Sequence, residues 1–292
     1  MANLSQLLVD RAKEIHGIIA ANGDSHREIA AMSEYVEADY HGRFLVELLQ
    51  NANDQAIKGG VPDSVVTIVR DHGILAVANQ GEPFDVCGIR SITSLGLSAK
   101  DPNELIGNKG IGFKAVFEIS RSPEIYSASV RSATYRSEGA NAFRVSTNPF
   151  DGSSGEERLA SIVHATLRDK PEDAKHLGCD ATQRLAEEIR KAAPFKFPIE
   201  LGLSELERRA SVIDCIPAET QTLVLLPLVA SGKVDDAIKA ALDELSAGNG
   251  AIILFLEGIG AVTLIDKCRG FTITIRKERH SAVSLVHTLR QY

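Results

Sequence analysis

From about Gly42 to Lys58 the chain places Phe44, Leu45, Leu48, Leu49 and Ala52 on one side of a helix, then stops at Gly59-Gly60, a helix-ending signal. Two apolar runs follow at once, Val65–Val69 and Ile74–Ala78, joined through Asp71-His72-Gly73; such a pair reads as an antiparallel hairpin. Further along, residues 124–147 read as two more strands and Thr222–Leu228 as a strongly apolar strand. A second hairpin follows, Ala261–Asp266 and Phe271–Arg276, turning at residues 267–270. Helices that precede and alternate with an antiparallel sheet predict an α+β layer protein.

Leu4, Leu7, Leu8, Ile15, Ile18 and Ile19 give residues 4–20 an amphipathic helical pattern, and a shorter helix is expected at 26–37. A helix is expected from about Phe84 to Leu95, then a polar, glycine-rich stretch from Gly96 to Gly110, then a helix starting near Gly112. Residues 150–200 mix Gly, Ser, Asp and Pro with one helix near 181–193 and read as an insertion or long connection. A helix is expected at 234–246. The apolar run at 251–256 is too short for periodicity to divide between helix and strand.

Composition limits the function classes. Of 292 residues, 44% are hydrophobic and 24% charged, as in ordinary soluble globular proteins. The formal charge of −7 argues against a dedicated nucleic-acid binder. No apolar run reaches the length of a membrane span, and the N-terminus lacks the basic start and apolar block of a signal peptide. Cys87, Cys179, Cys215 and Cys268 are scattered, with no CxxC pair. They are expected to be reduced core thiols of a cytoplasmic protein rather than a zinc site.

Four short elements carry chemistry. In Glu47-Leu48-Leu49-Gln50-Asn51-Ala52-Asn53-Asp54, Glu47 and Asn51 share one helical face. A carboxamide oxygen there suits an octahedral magnesium shell shared with phosphates and waters, and a carboxylate can orient and deprotonate water. Alone, such a face is more often simply solvated. In Val77-Ala78-Asn79-Gln80-Gly81-Glu82-Pro83-Phe84, at a strand end, a side-chain acceptor can take the amine of adenine, with Gly81 permitting close backbone approach. Alone, it is a strand-ending turn. In Gly107-Asn108-Lys109-Gly110-Ile111-Gly112-Phe113-Lys114-Ala115-Val116-Phe117, glycines precede a helix, so backbone N–H groups and the helix dipole can face an anion. The spacing is GxxGxG, not the GxGxxG of a dinucleotide fold, and no apolar strand comes directly before it. The fourth element, Gln221 to Leu228, opens with Thr222, which can hydrogen-bond an adenine ring.

Together and in this order the four elements resemble the N, G1, G2 and G3 boxes of the GHKL (Bergerat-fold) ATPases, named after gyrase, heat-shock chaperones, histidine kinases and MutL. The resemblance covers about residues 40–230. The phrases FLVELLQNANDQA, NQGEPF, IGNKGIGFKAVFEIS and SPEIYS are most similar to the sacsin and NO VEIN group, as is the tail AIILFLEGIGAVTLID. It implies a Bergerat-fold sandwich: a mixed, mainly antiparallel sheet with helices on one face. Residues 1–230 would form the ATP-binding domain, and 231–292 a small α/β extension that begins a transducer-like unit. It implies Glu47 as catalytic base, Asn51 as magnesium ligand and Asp54 as a second acidic position near the nucleotide. Asn79 stands where most members carry the adenine-reading aspartate, and Pro83 replaces the usual second glycine of the G1 box. Gly81 matches the G1 glycine; Gly107, Gly110 and Gly112 match the phosphate loop, with Ile111 and Phe113 between and after them; Thr222 matches the G3 threonine. Lys100, Lys109 and Lys114 are electrostatic candidates for phosphate contact, each equally readable as a surface lysine.

The implied activity is magnesium-dependent ATP binding and slow hydrolysis, as the switch of a larger chaperone-like or nucleic-acid-associated (including defence) protein. Stretch 96–110 would act as a lid. A neutral Asn79 leaves the choice of base open, since its NH2 can also donate to a guanine-like carbonyl. Partners would be ATP and ADP, the rest of a larger chain or partner subunits, and a second copy in a nucleotide-dependent dimer; direct DNA binding is left open. Two other readings compete: a nucleotide-sensing module without turnover, and a histidine-kinase catalytic domain. Glu47 argues against the kinase, which does not need to activate water, and His16 lacks a phospho-acceptor context.

Overall fold

The computed structural model describes residues 42–84, 88–89, 92, 112–127, 141–146, 152–169, 180–191, 197–201, 203–247, 251–280 and 283–291, and Asp10. The helices are α1 (Phe44–Lys58), α2 (Gly152–Asp169), α3 (Ala181–Lys191), α4 (Leu203–Glu207), α5 (Ala210–Ile213), α6 (Gly232–Ala247) and α7 (Ala251–Leu254), with a 3₁₀ helix at Gly112–Glu118. The strands are β1 (Ser64–Asp71), β2 (Ile74–Asn79), β3 (Glu124–Ser127), β4 (Asn141–Ser146), β5 (Phe197–Glu200), β6 (Thr222–Pro227), β7 (Ile259–Asp266), β8 (Phe271–His280) and β9 (Val283–Gln291).

Among the described residues these strands form one sheet in the order β5-β4-β3-β6-β2-β1-β7-β8-β9. The pairings are antiparallel except for the parallel β1–β7 contact. The fold is therefore α+β, with the mixed, mainly antiparallel sheet and helical layer of a Bergerat-type sandwich. Both hairpins read from the sequence form, β1–β2 and β7–β8. Gly73, at φ +68, closes the first in a left-handed conformation that favours glycine. Through β7, the segment after residue 231 joins the same hydrogen-bonded sheet beside β1.

Because strand side chains alternate between faces, the sheet has two interiors. On one, Val66, Ile68, Leu75, Val77, Ile125, Val224 and Leu226 pack with Phe44, Leu45, Leu48, Leu49, Ala52 and Ala56 of α1, and with Ile238, Leu242 and Leu245 of α6. On the other, Val69, Ala76, Ala78, Tyr126, Leu223 and Leu225 meet Leu206 of α4 and Val212 of α5. The longer helices of the core thus lie on one face, and two short ones on the other.

Stretch 150–200 holds more regular structure than its composition predicts. It carries the 18-residue α2 as well as α3, and β5, which pairs with β4. The run at 251–256 resolves as one helical turn, α7. The helices expected at 4–20 and 26–37, and most of that at 84–95, lie outside the described residues, as do Cys87 and Cys179. The other two cysteines are not core thiols: Cys215 is half-buried and Cys268 exposed. Among the described residues, no helix is long and apolar enough to cross a membrane.

Candidate functional site

The polar residues of α1 are not a solvated face. Glu47 is 6% exposed and Asp54 and Asn53 fully buried, while Asn51 is half-buried. Buried carboxylates and amides need specific partners, so this helix is constrained nearly all round. The two asparagines divide the work. Asn53 Oδ1 accepts the Gly258 N–H at 2.8 Å and pins α1 to the turn before β7. Asn51 lies between Glu47 and Asp54 in the helical repeat and keeps partial access to solvent.

Period-two alternation decides where the strand-end polar residues point. Asn79 follows Val77 and Leu75 on the α1 face, and Thr222 precedes Val224 and Leu226 on the same face. Asn79 and Thr222 are direct cross-strand partners. Ser127, the last residue of β3, pairs with Thr222 from the other side, two residues beyond the α1-facing Ile125. Three polar side chains from three adjacent strands therefore line up at one sheet end under α1. All three are nearly or fully buried. Sequence reasoning missed Ser127, because a serine at a strand end has no signature until the register is known.

The turn after β2 is held from several sides. Asn79 Nδ2 donates to the Gln80 carbonyl at 2.9 Å, and Gln80 Oε1 accepts the Val65 N–H at 3.2 Å. The Phe84 N–H donates to Ser127 Oγ at 2.7 Å, and the Phe84 ring meets Phe143 edge-on at 6.4 Å. Gly81 sits at φ +113. A side chain there would strike the Gln55 carbonyl and the Ala56 amide of α1, and the adjacent Glu82 N–H donates to that same carbonyl at 2.9 Å. The close approach that Gly81 permits is thus to the C-terminal end of α1.

The 3₁₀ helix packs on α1. A Cβ at Gly112 would run into the Glu47 carboxylate and meets no other close obstacle, so this glycine is the surface on which Glu47 rests. Phe113 and Lys114 are buried beside it, and Lys114 is accordingly not a solvated lysine. Lys100, Gly107, Lys109, Gly110 and Ile111 lie outside the described residues, as does the stretch read as a lid.

The resolved shifts in acidity lie at the other end of the strands. There burial pushes the Asp71 carboxyl up, but the His72 N–H and Lys267 outweigh it and hold it below the ordinary range, while burial raises the Cys268 thiol. Arg70 bridges Asp235 of α6 at 2.9 Å, and Arg269 bonds Asp266 and Asp243 at 2.6 Å each. This network anchors α6 and the β7–β8 turn.

No protein-family model matches the chain. Parts of it are similar to three known proteins. Protein NO VEIN of Arabidopsis thaliana is 37% identical over 100 residues, 32% of this chain and 3% of that protein. Chaperone protein HtpG of Rhodopseudomonas palustris is 29% identical over 206 residues, 61% of this chain and 32% of the chaperone. Protein MICRORCHIDIA 2 of Arabidopsis thaliana is 34% identical over 94 residues, 31% of this chain and 15% of that protein. Each match spans a third or less of the relative's own length.

Proposed function

We propose that this chain is a GHKL-type module that binds ATP with magnesium between α1 and the sheet and hydrolyses it slowly. The observation that carries the reading is the alignment of Asn79, Thr222 and Ser127 beneath the helix bearing Glu47, Asn51 and Asp54. Partial similarity to a chaperone and to NO VEIN, both within the groups that the motifs resemble, supports it.

The base would sit at the strand ends, against Asn79 and Thr222. The phosphates would lie toward the glycine loop that ends at Gly112. Among the described residues, no group of three His, Cys, Asp or Glu side chains is placed to hold a metal ion. The donor set fits magnesium nonetheless, because that ion commonly takes one or two protein oxygens together with phosphates and waters. Asn51, part-exposed among buried carboxylates, would supply the protein oxygen. Magnesium, when bound, would draw charge from the phosphate oxygens. Glu47 would orient the attacking water and accept its proton, with Gly112 setting where the carboxylate rests. Positioning and charge stabilisation dominate phosphoryl transfer, so a domain whose loop has not closed should turn over slowly. In a larger protein the nucleotide state would act as a switch, chaperone-like or nucleic-acid-associated, with pairing of two copies coupled to nucleotide.

Two outcomes check this arrangement. Asn51→Ala should raise the magnesium concentration needed for half-maximal phosphate release by about tenfold or more; an unshifted magnesium dependence counts against Asn51 as the ligand. Gly112→Ala should leave the thermal unfolding transition nearly in place, because only the end of a flexible side chain must yield. Displacing that carboxylate should nevertheless slow turnover by about 10–10²-fold. Full turnover in a folded Gly112→Ala protein would show that Glu47's resting position is immaterial.

A further inference from the structure

We propose that Ser127 is a positioning residue that makes the pocket select adenine over 6-oxopurines, even though a neutral Asn79 stands where an aspartate is usual. The inference rests on the nucleotide-binding reading above. Some atoms at this sheet end can only donate a hydrogen bond and others can only accept one.

The Gln80 carbonyl oxygen only accepts, so the Asn79 amide must turn its Nδ2 toward it, as the 2.9 Å contact has it. Gln80 is itself fixed through Val65. Asn79 Oδ1, an acceptor, is thereby turned away from that carbonyl. On the next strand, the Phe84 backbone N–H only donates, so Ser127 Oγ accepts it at 2.7 Å. Ser127 is fully buried. Among the described residues, its own proton has one acceptor within reach, Thr222 Oγ1 at 3.4 Å. Were Thr222 to donate to Ser127 instead, the buried Ser127 proton would have no acceptor among the described residues, and an unpaired buried donor is unfavourable. Thr222 therefore receives, and its own proton is directed onward. At 3.4 Å the contact is longer than an ordinary hydroxyl pair, so Ser127 biases Thr222 rather than clamping it.

The sheet end thus presents an acceptor, Asn79 Oδ1, beside a donor, the Thr222 hydroxyl, on directly paired residues. Adenine offers the complement, an amine donor beside the N1 acceptor. Hypoxanthine and guanine present the reverse, a carbonyl acceptor beside an N1–H donor. Selectivity would come from the direction of the hydrogen bonds, which begins at the Phe84 amide and passes through Ser127.

The test is calorimetric titration of the full chain with Mg-ATP and Mg-ITP, whose bases differ only along this edge. The wild type should prefer ATP by about 10²-fold, and Ser127→Ala should lower the ATP/ITP ratio of Kd values by about tenfold. Ser127→Cys, nearly isosteric and a weak hydrogen-bonder, should act in the same direction and carries the test if the alanine variant does not fold. A purely structural role would weaken both nucleotides together, leaving the ratio fixed. An unchanged ratio in a folded variant, or equal affinity of the wild type for ATP and ITP, overturns the inference while the nucleotide site stands. Binding of neither nucleotide by the wild type overturns both.

Discussion

Glu47→Ala is expected to lower ATP hydrolysis by about 10²–10⁴-fold, the usual contribution of a positioned general base, while ATP affinity stays near the wild-type value. The expectation follows from where the carboxylate lies. Glu47 is buried on α1 with its oxygen against Gly112, the first residue of the 3₁₀ helix. Arg43, one turn back, lies 3.8 Å from the carboxylate. Removing that carboxylate should take away water activation and little of the contact with nucleotide. Phosphate release measured beside calorimetric affinity separates the two effects. Unchanged turnover removes Glu47 from the role of base, and lost affinity with unchanged maximal turnover makes it a binding residue instead.

Gly81→Ala is expected to destabilise the fold by about 2–4 kcal/mol, combining a left-handed backbone with a steric collision. At φ +113 an L side chain is strained in any surroundings. Here a Cβ would also overlap the Gln55 carbonyl and the Ala56 nitrogen. These are backbone atoms of a packed helix and cannot swing aside as the Glu47 carboxylate can at Gly112. Gly73→Ala is the control: its φ is also positive, but nothing lies within contact of a Cβ there, so it should cost about 1 kcal/mol. Urea unfolding of both variants measures the contrast. Equal costs would mean that the α1 contact at Gly81 gives way freely.

The hairpins were legible in the sequence because β1, β2, β7 and β8 are bounded by turn residues that leave one register for each pair. Helix α2 was not, since it opens on Gly152-Ser153-Ser154-Gly155, a poor helical start by propensity. It is held instead by tertiary packing that buries Leu159 and Val163, which local composition does not record. The site divides along the same line. Glu47, Asn51 and Asp54 share a helical face by spacing alone, and Asn79 and Thr222 mark strand ends. That Asn53 faces Gly258, that Gly81 touches Gln55, and that Ser127 joins Thr222 all depend on residues distant in the chain, which helix packing in the first two cases and sheet register in the third bring together.

If α1 and the ends of β2, β3 and β6 enclose one nucleotide site as proposed, titrating ATP into the folded chain with magnesium present should show saturable uptake of one ATP per chain, weakened by Thr222→Val and by Asn79→Ala, each about tenfold. No uptake at millimolar ATP by a chain shown to be folded would rule that site out.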